Sequence, residues 1–182
     1  MINRLIVQQC NNRSHKGFVL IELIIVTAVI GIVSAIGIGT FVSYSQTQKL
    51  QTAINDLRTT LNVAKSNSFS QVKDSALCTQ SLEGYKVVIS CSTYDLYVVC
   101  GGVDYEIMNT KSLPENVMLS KSSPMSVFFP ILKSQVSGSG TIPLTGFGQT
   151  KCILIDSVGV ISQVSSCPSP VPCSTPVPTP GS

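Results

Sequence analysis

The chain has 182 residues, a formal net charge of +3, 43% hydrophobic residues, no Trp and a single His. The excess positive charge is Arg4, Arg13 and Lys16, so residues 18–182 are formally neutral and offer no basic surface for nucleic acid, despite a pI near 8.5. His15 is the only histidine, so the chain beyond it has no Ser–His or Cys–His nucleophile pair, and no Gly-rich phosphate loop occurs. Neither an enzyme nor a cofactor is expected.

Residues 1–17 form a basic leader without an acidic side chain. An apolar run follows: Leu23 to Gln48 carries no charge, and Leu23 to Val42 is almost wholly apolar. At about 1.5 Å per residue, a helix of that length matches a ~30 Å hydrocarbon core. The expectation is therefore a transmembrane helix over 18–42. Positive charge before it places the leader in the cytoplasm and the remainder outside. Glu22, at the start of the run, is the feature that asks for an explanation. A charge within a membrane helix costs roughly 2.5–3.5 kcal/mol, so a carboxylate there is read as functional. An adjacent ammonium would offset much of that cost. The plainer reading is a signal peptide or signal anchor that tolerates Glu22 near the interface, with Val33-Ser34-Ala35 as a small-residue cleavage site.

The segment Lys16-Gly17-Phe18-Val19-Leu20-Ile21-Glu22 and its apolar continuation resemble the N-termini of type IV prepilins and type II secretion pseudopilins. The family pattern is a short basic leader ending in Gly, then Phe, three apolar residues, Glu and an apolar helix. The resemblance implies cleavage by a prepilin peptidase between Gly17 and Phe18, and N-methylation of Phe18. It also implies an assembly salt bridge between Glu22 and the Phe18 amine of a neighbouring subunit. Many pilins have a proline where this chain has Gly39, a departure that favours a minor pilin or pseudopilin over a major pilin. Gly31, Gly37 and Gly39 make this stretch bendable.

Leu50, Ile54, Leu57, Leu61 and Ala64 then recur at spacings of four and three, with Ala53 broadening the stripe and Lys49, Asp56, Arg58 and Lys65 elsewhere on the helix. The spacing predicts that the helix of 18–75 packs this stripe on the protein's own sheet. Residues 76–167 read as a β-rich head. Strands are expected over 85–91, 94–100, 103–108, 117–121, 125–129, 141–144, 151–156 and 158–164, separated by turn residues such as Gly101-Gly102 and Gly146-Phe147-Gly148. Without helical patterns between them the strands should be antiparallel, in two sheets or one strongly curved one. The expected fold class is α+β: a long N-terminal helix, membrane-spanning in its first half, packed on an antiparallel β-rich head. The stretch Phe128 to Ile161, with Phe128-Phe129-Pro130, Gly140-Thr141-Ile142-Pro143-Leu144 and Gly159-Val160-Ile161, is similar to the C-terminal half of the GspH/FimT family of minor pseudopilins and minor pilins. Some members of that family bind DNA, a property not carried over to a tail without Lys or Arg.

Beyond the leader's Cys10, six cysteines remain: Cys78, Cys91, Cys100, Cys152, Cys167 and Cys173. No Cys-x-x-Cys pair or usable His accompanies them, so a metal site is not expected. An even count in an exported head reads as up to three disulfides. A hairpin turning near Asp156–Gly159 would bring Cys152 beside Cys167. Residues 168–182 contain six prolines and are expected to be an extended, disordered tail.

Three functions compete at this point. One is a minor pilin or pseudopilin assembled from the inner membrane into a type IV pilus or type II secretion pseudopilus. The second is a major pilin. The third is a membrane-anchored extracellular binding module that does not polymerise. The first implies, as partners, other pilin or pseudopilin subunits, a prepilin peptidase, an inner-membrane assembly platform and the lipid bilayer. Its expected location is the inner membrane, single-pass with the head outside, then a periplasmic or cell-surface filament.

Overall fold

The computed structural model describes residues 19–73, 75–121, 124–133 and 135–173, apart from the side chains of 35–40. One helix, α1 (Leu20–Phe69), precedes eight strands: β1 (Leu82–Ile89), β2 (Thr93–Cys100), β3 (Val103–Ser112), β4 (Val117–Leu119), β5 (Met125–Pro130), β6 (Gly140–Gly146), β7 (Gln149–Ile155) and β8 (Ile161–Val164). The chain divides into two units, Met1–Val42 and Ser43–Ser182.

The helix requires a correction to the expected fold class and location. Its described side chains fall into two stretches, residues 20–34 and 41–69. At 1.5 Å per residue the first covers about 22 Å, short of a ~30 Å hydrocarbon core. The second carries Lys49, Asp56, Arg58 and Lys65. No helix among the described residues is long and apolar enough to cross a membrane. The expectations of a long helix with a membrane-spanning first half and of a single-pass inner-membrane protein are overturned by that finding.

The second unit is built by the 3.6-residue stripe. Leu50, Ile54, Leu57, Leu61 and Ala64 are all 0% exposed, and Ala53 is 2% exposed. They share one core with the inward residues of both sheets: Tyr85, Val87 and Ile89 from β1, Leu96 and Val98 from β2, Val127 and Phe129 from β5, and Ile142, Leu144, Ile153 and Ile155 from β6 and β7. The two-residue alternation of β1, β2 and β5 explains why one face of the first sheet is buried while Lys86, Asp95 and Tyr97 lie on the other. The buried Ser68 hydroxyl at the end of this helix donates to the Pro130 carbonyl of β5 at 2.8 Å.

Each sheet has four antiparallel strands, in the orders β3-β2-β1-β5 and β4-β6-β7-β8. The strands lie where alternation and turn residues place them. Gly101 (φ 57°) and Gly102 (φ 79°) form a tight β2–β3 turn in the left-handed region. The β6–β7 turn uses Phe147 (φ 54°) and Gly148 (φ 74°), and the strain of an aromatic residue there is offset by Phe147 packing on the core.

Candidate assembly site and disulfide framework

α1 begins immediately after Val19, whose carbonyl accepts a hydrogen bond from the Glu22 amide at 2.9 Å. Glu22 thus lies in the first turn, where the positive end of the helix macrodipole favours a carboxylate. From Val19 to Ser34 every side chain is exposed, Leu20 at 76% and Ile32 at 65% among them. A helix that faces water normally reserves one side for polar groups. This stretch is apolar all round, interrupted only by Glu22, Thr27 and small residues. The Thr27 hydroxyl is within 3.0 Å of both the Leu23 and the Ile24 carbonyls, so it is satisfied without water. Residues 19–34 are therefore an exposed apolar surface with one carboxylate, Glu22, at its N-terminal end.

Of the expected processing and assembly residues, Glu22 is within this stretch, whereas Phe18 and the leader, Gly17 included, lie outside the described residues. The chain matches no family model, no curated protein and no solved structure.

The six cysteines beyond the leader form three bonds: Cys78–Cys100, Cys91–Cys173 and Cys152–Cys167. The last follows from the β7–β8 hairpin, in which Cys152 pairs with Val164 and brings Cys167 alongside. Its turn is held by the Asp156 carboxylate, which accepts from the amides of Val158 and Val160 at 3.0 and 2.8 Å. Cys91–Cys173 ties the beginning of the Pro-rich segment to the β1–β2 turn, and Ser120 donates to the Val171 carbonyl at 3.2 Å along the way. Residues 174–182 lie outside the described residues. Among the described residues no group of three or more His, Cys, Asp or Glu side chains could hold a metal ion.

The solvent face of the first sheet was not singled out by the sequence, although the alternation of Asp95 and Tyr97 with Tyr94, Leu96 and Val98 was its signal. There Lys86 forms an ion pair with Asp104 and lies 5.9 Å from the centre of the Tyr97 ring. Asp95 Oδ1 is buried with no hydrogen-bond partner among the described residues. Burial pushes the Tyr97 phenol above its ordinary range, and the charges of Asp95, Glu106 and Asp104 push it the same way.

Proposed function

We propose that this chain is a structural subunit of a type IV pilus or type II secretion pseudopilus, a minor pilin or pseudopilin. The observation that carries the reading is the exposed apolar stretch from Val19 to Ser34, with Glu22 in its first turn. Fully burying a Leu, Ile or Val side chain is worth roughly 1.5–3 kcal/mol, so covering this surface with equivalent helices of other copies would drive association strongly. Glu22 would set the register of that association. Buried alone it opposes packing; opposite a neighbour's Phe18 ammonium it favours one stagger between copies. Cleavage by a prepilin peptidase at Gly17–Phe18 would create that ammonium. The disulfide-bonded head suits a subunit exposed to an oxidising compartment.

The test is Glu22→Ala in cells that make the filament. The variant is expected to be produced with all three disulfides and to be depleted from purified filaments. Normal incorporation would remove the salt-bridge mechanism. Copy number in the same filaments separates a minor subunit from a major pilin.

A further inference from the structure

The disulfides differ in how they meet solvent. Cys78 and Cys100 are each 1% exposed, and Cys152 is 0% exposed. Cys91 and Cys173 are both half-buried, as is Cys167. Cys91–Cys173 is therefore the one bond of these in which neither residue is buried.

Its two ends are also held differently. Cys91 belongs to a rigid frame: its carbonyl accepts from the Leu119 amide at 2.9 Å, and the Ser92 carbonyl accepts from the Leu113 amide at 2.7 Å. Cys173 ends a strap, residues 165–173, in which Ser165, Ser166 and 168–172 are all exposed. Pro168, Pro170 and Pro172 stand at alternate positions and carry no N–H, so the strap cannot join the neighbouring sheet as a strand. Among the described residues its one hydrogen bond comes from the Ser120 hydroxyl to the Val171 carbonyl, at 3.2 Å. Lys121, Thr141 and Pro143 face Pro168, Ser169 and Val171 across a cavity of about 340 Å³. The strap thus lies along the β4–β6 edge without packing into it, and the disulfide is what keeps it there.

The other two bonds join positions that the sheets hold together. Cys167 follows closely on Val164, the ladder partner of Cys152, so the β7–β8 hairpin keeps both thiols near each other once the bond opens. Cys100 pairs with Leu82, and the Gly101 amide donates to the Ser81 carbonyl at 3.1 Å, which keeps Cys78 beside Cys100. Thiols held close re-form their bond quickly, whereas a thiol on a loose strap must first return to its partner.

We propose that Cys91–Cys173 is a redox-sensitive latch on the strap, opened by a dithiol while the rest of the head stays folded. A thiolate of the dithiol attacks one sulfur of the bond, and the other cysteine leaves as a thiolate. The second thiol of the reductant then displaces the remaining cysteine from the mixed disulfide. Two electrons pass to the protein, the dithiol becomes a disulfide, and its two protons end on Cys91 and Cys173. The strap is then free to leave the groove. Access to the sulfurs sets how fast the bond opens, and the length of its loop sets what it contributes against unfolding, so the two properties do not conflict.

The experiment treats the oxidised full chain with stepwise dithiothreitol in the absence of denaturant, traps free thiols with N-ethylmaleimide and maps the labelled peptides by mass spectrometry. Cys91 and Cys173 should be labelled together and at least about tenfold faster than Cys78, Cys100, Cys152 and Cys167. A proline-specific endoprotease reads the strap itself. Cleavage after Pro168, Pro170 or Pro172 should rise several-fold once that bond is open and fall back on reoxidation. The double variant Cys91→Ser with Cys173→Ser should be cleaved at the raised rate without any dithiol. Labelling of all six cysteines at one rate, or of Cys152 and Cys167 first, would overturn the latch. An unchanged rate of strap cleavage after Cys91–Cys173 has opened would overturn the release.

Discussion

Cys91, in the β1–β2 turn, is bonded to Cys173 across 82 positions of sequence. The bond closes nearly the whole head into one covalent loop and fixes the Pro-rich segment at Cys173. In the chain-entropy account a loop of that length contributes about 4.5 kcal/mol, against about 3 kcal/mol for the 15-residue separation of Cys152 and Cys167. Replacing Cys91 and Cys173 together by Ser should therefore lower the urea midpoint more than replacing Cys152 and Cys167. Equal losses would mean that packing, rather than loop closure, sets the cost.

Leu57 is 0% exposed at the centre of the helical stripe, whereas Val63 on the same helix is 38% exposed. Leu57→Ala should cost roughly 2–5 kcal/mol through lost burial and a residual cavity. Val63→Ala should stay within about 0.5 kcal/mol, the range of ordinary surface substitutions. Chemical denaturation of the two variants side by side checks both. Comparable effects would mean that the stripe is not the contact between helix and sheets.

Tyr94 is 3% exposed, and burial pushes its phenol above the ordinary 10.0; Asp56 adds to the rise, and a hydrogen bond with Thr60 opposes it. The unfolded chain therefore ionises this group first. Its contribution is intact below about pH 10 and is lost as pH rises through the higher folded value. Tyr97 shifts in the same direction on the sheet's solvent face. Stability should fall above about pH 10, and Tyr94→Phe should flatten that decline. Urea midpoints at pH 8 and at pH 11 for the wild-type chain, Tyr94→Phe and Tyr97→Phe separate the two phenols. An unchanged decline in Tyr94→Phe would assign the effect elsewhere.

The helical stripe and all eight strands were legible because each depends on a local period, 3.6 or 2, that neighbouring residues repeat. Cys152–Cys167 was legible for a related reason, since it spans one hairpin. Cys91–Cys173 and Cys78–Cys100 were not, because they depend on how distant strands are ordered in the sheets, including the placement of β5 beside β1. The same holds for the solvent face of the first sheet, where Lys86 and Asp104 meet only once β1, β2 and β3 are in register. The membrane span failed differently. It rested on the summed apolarity of 23–42, whereas among the described residues no helix is long and apolar enough to cross. Glu22 is legible as an anomaly from sequence, and the structure adds its first-turn position and the exposure of the helix around it.

The filament reading depends on a free Phe18 amine opposite Glu22, so the decisive observation is the N-terminal peptide mass of the protein isolated from its native source. A chain that begins at N-methylated Phe18 is the predicted result and places the new amine four residues before Glu22. A chain that retains Met1, or one that begins near Ile36 and has lost Glu22 altogether, would contradict prepilin processing and with it the proposed assembly mechanism.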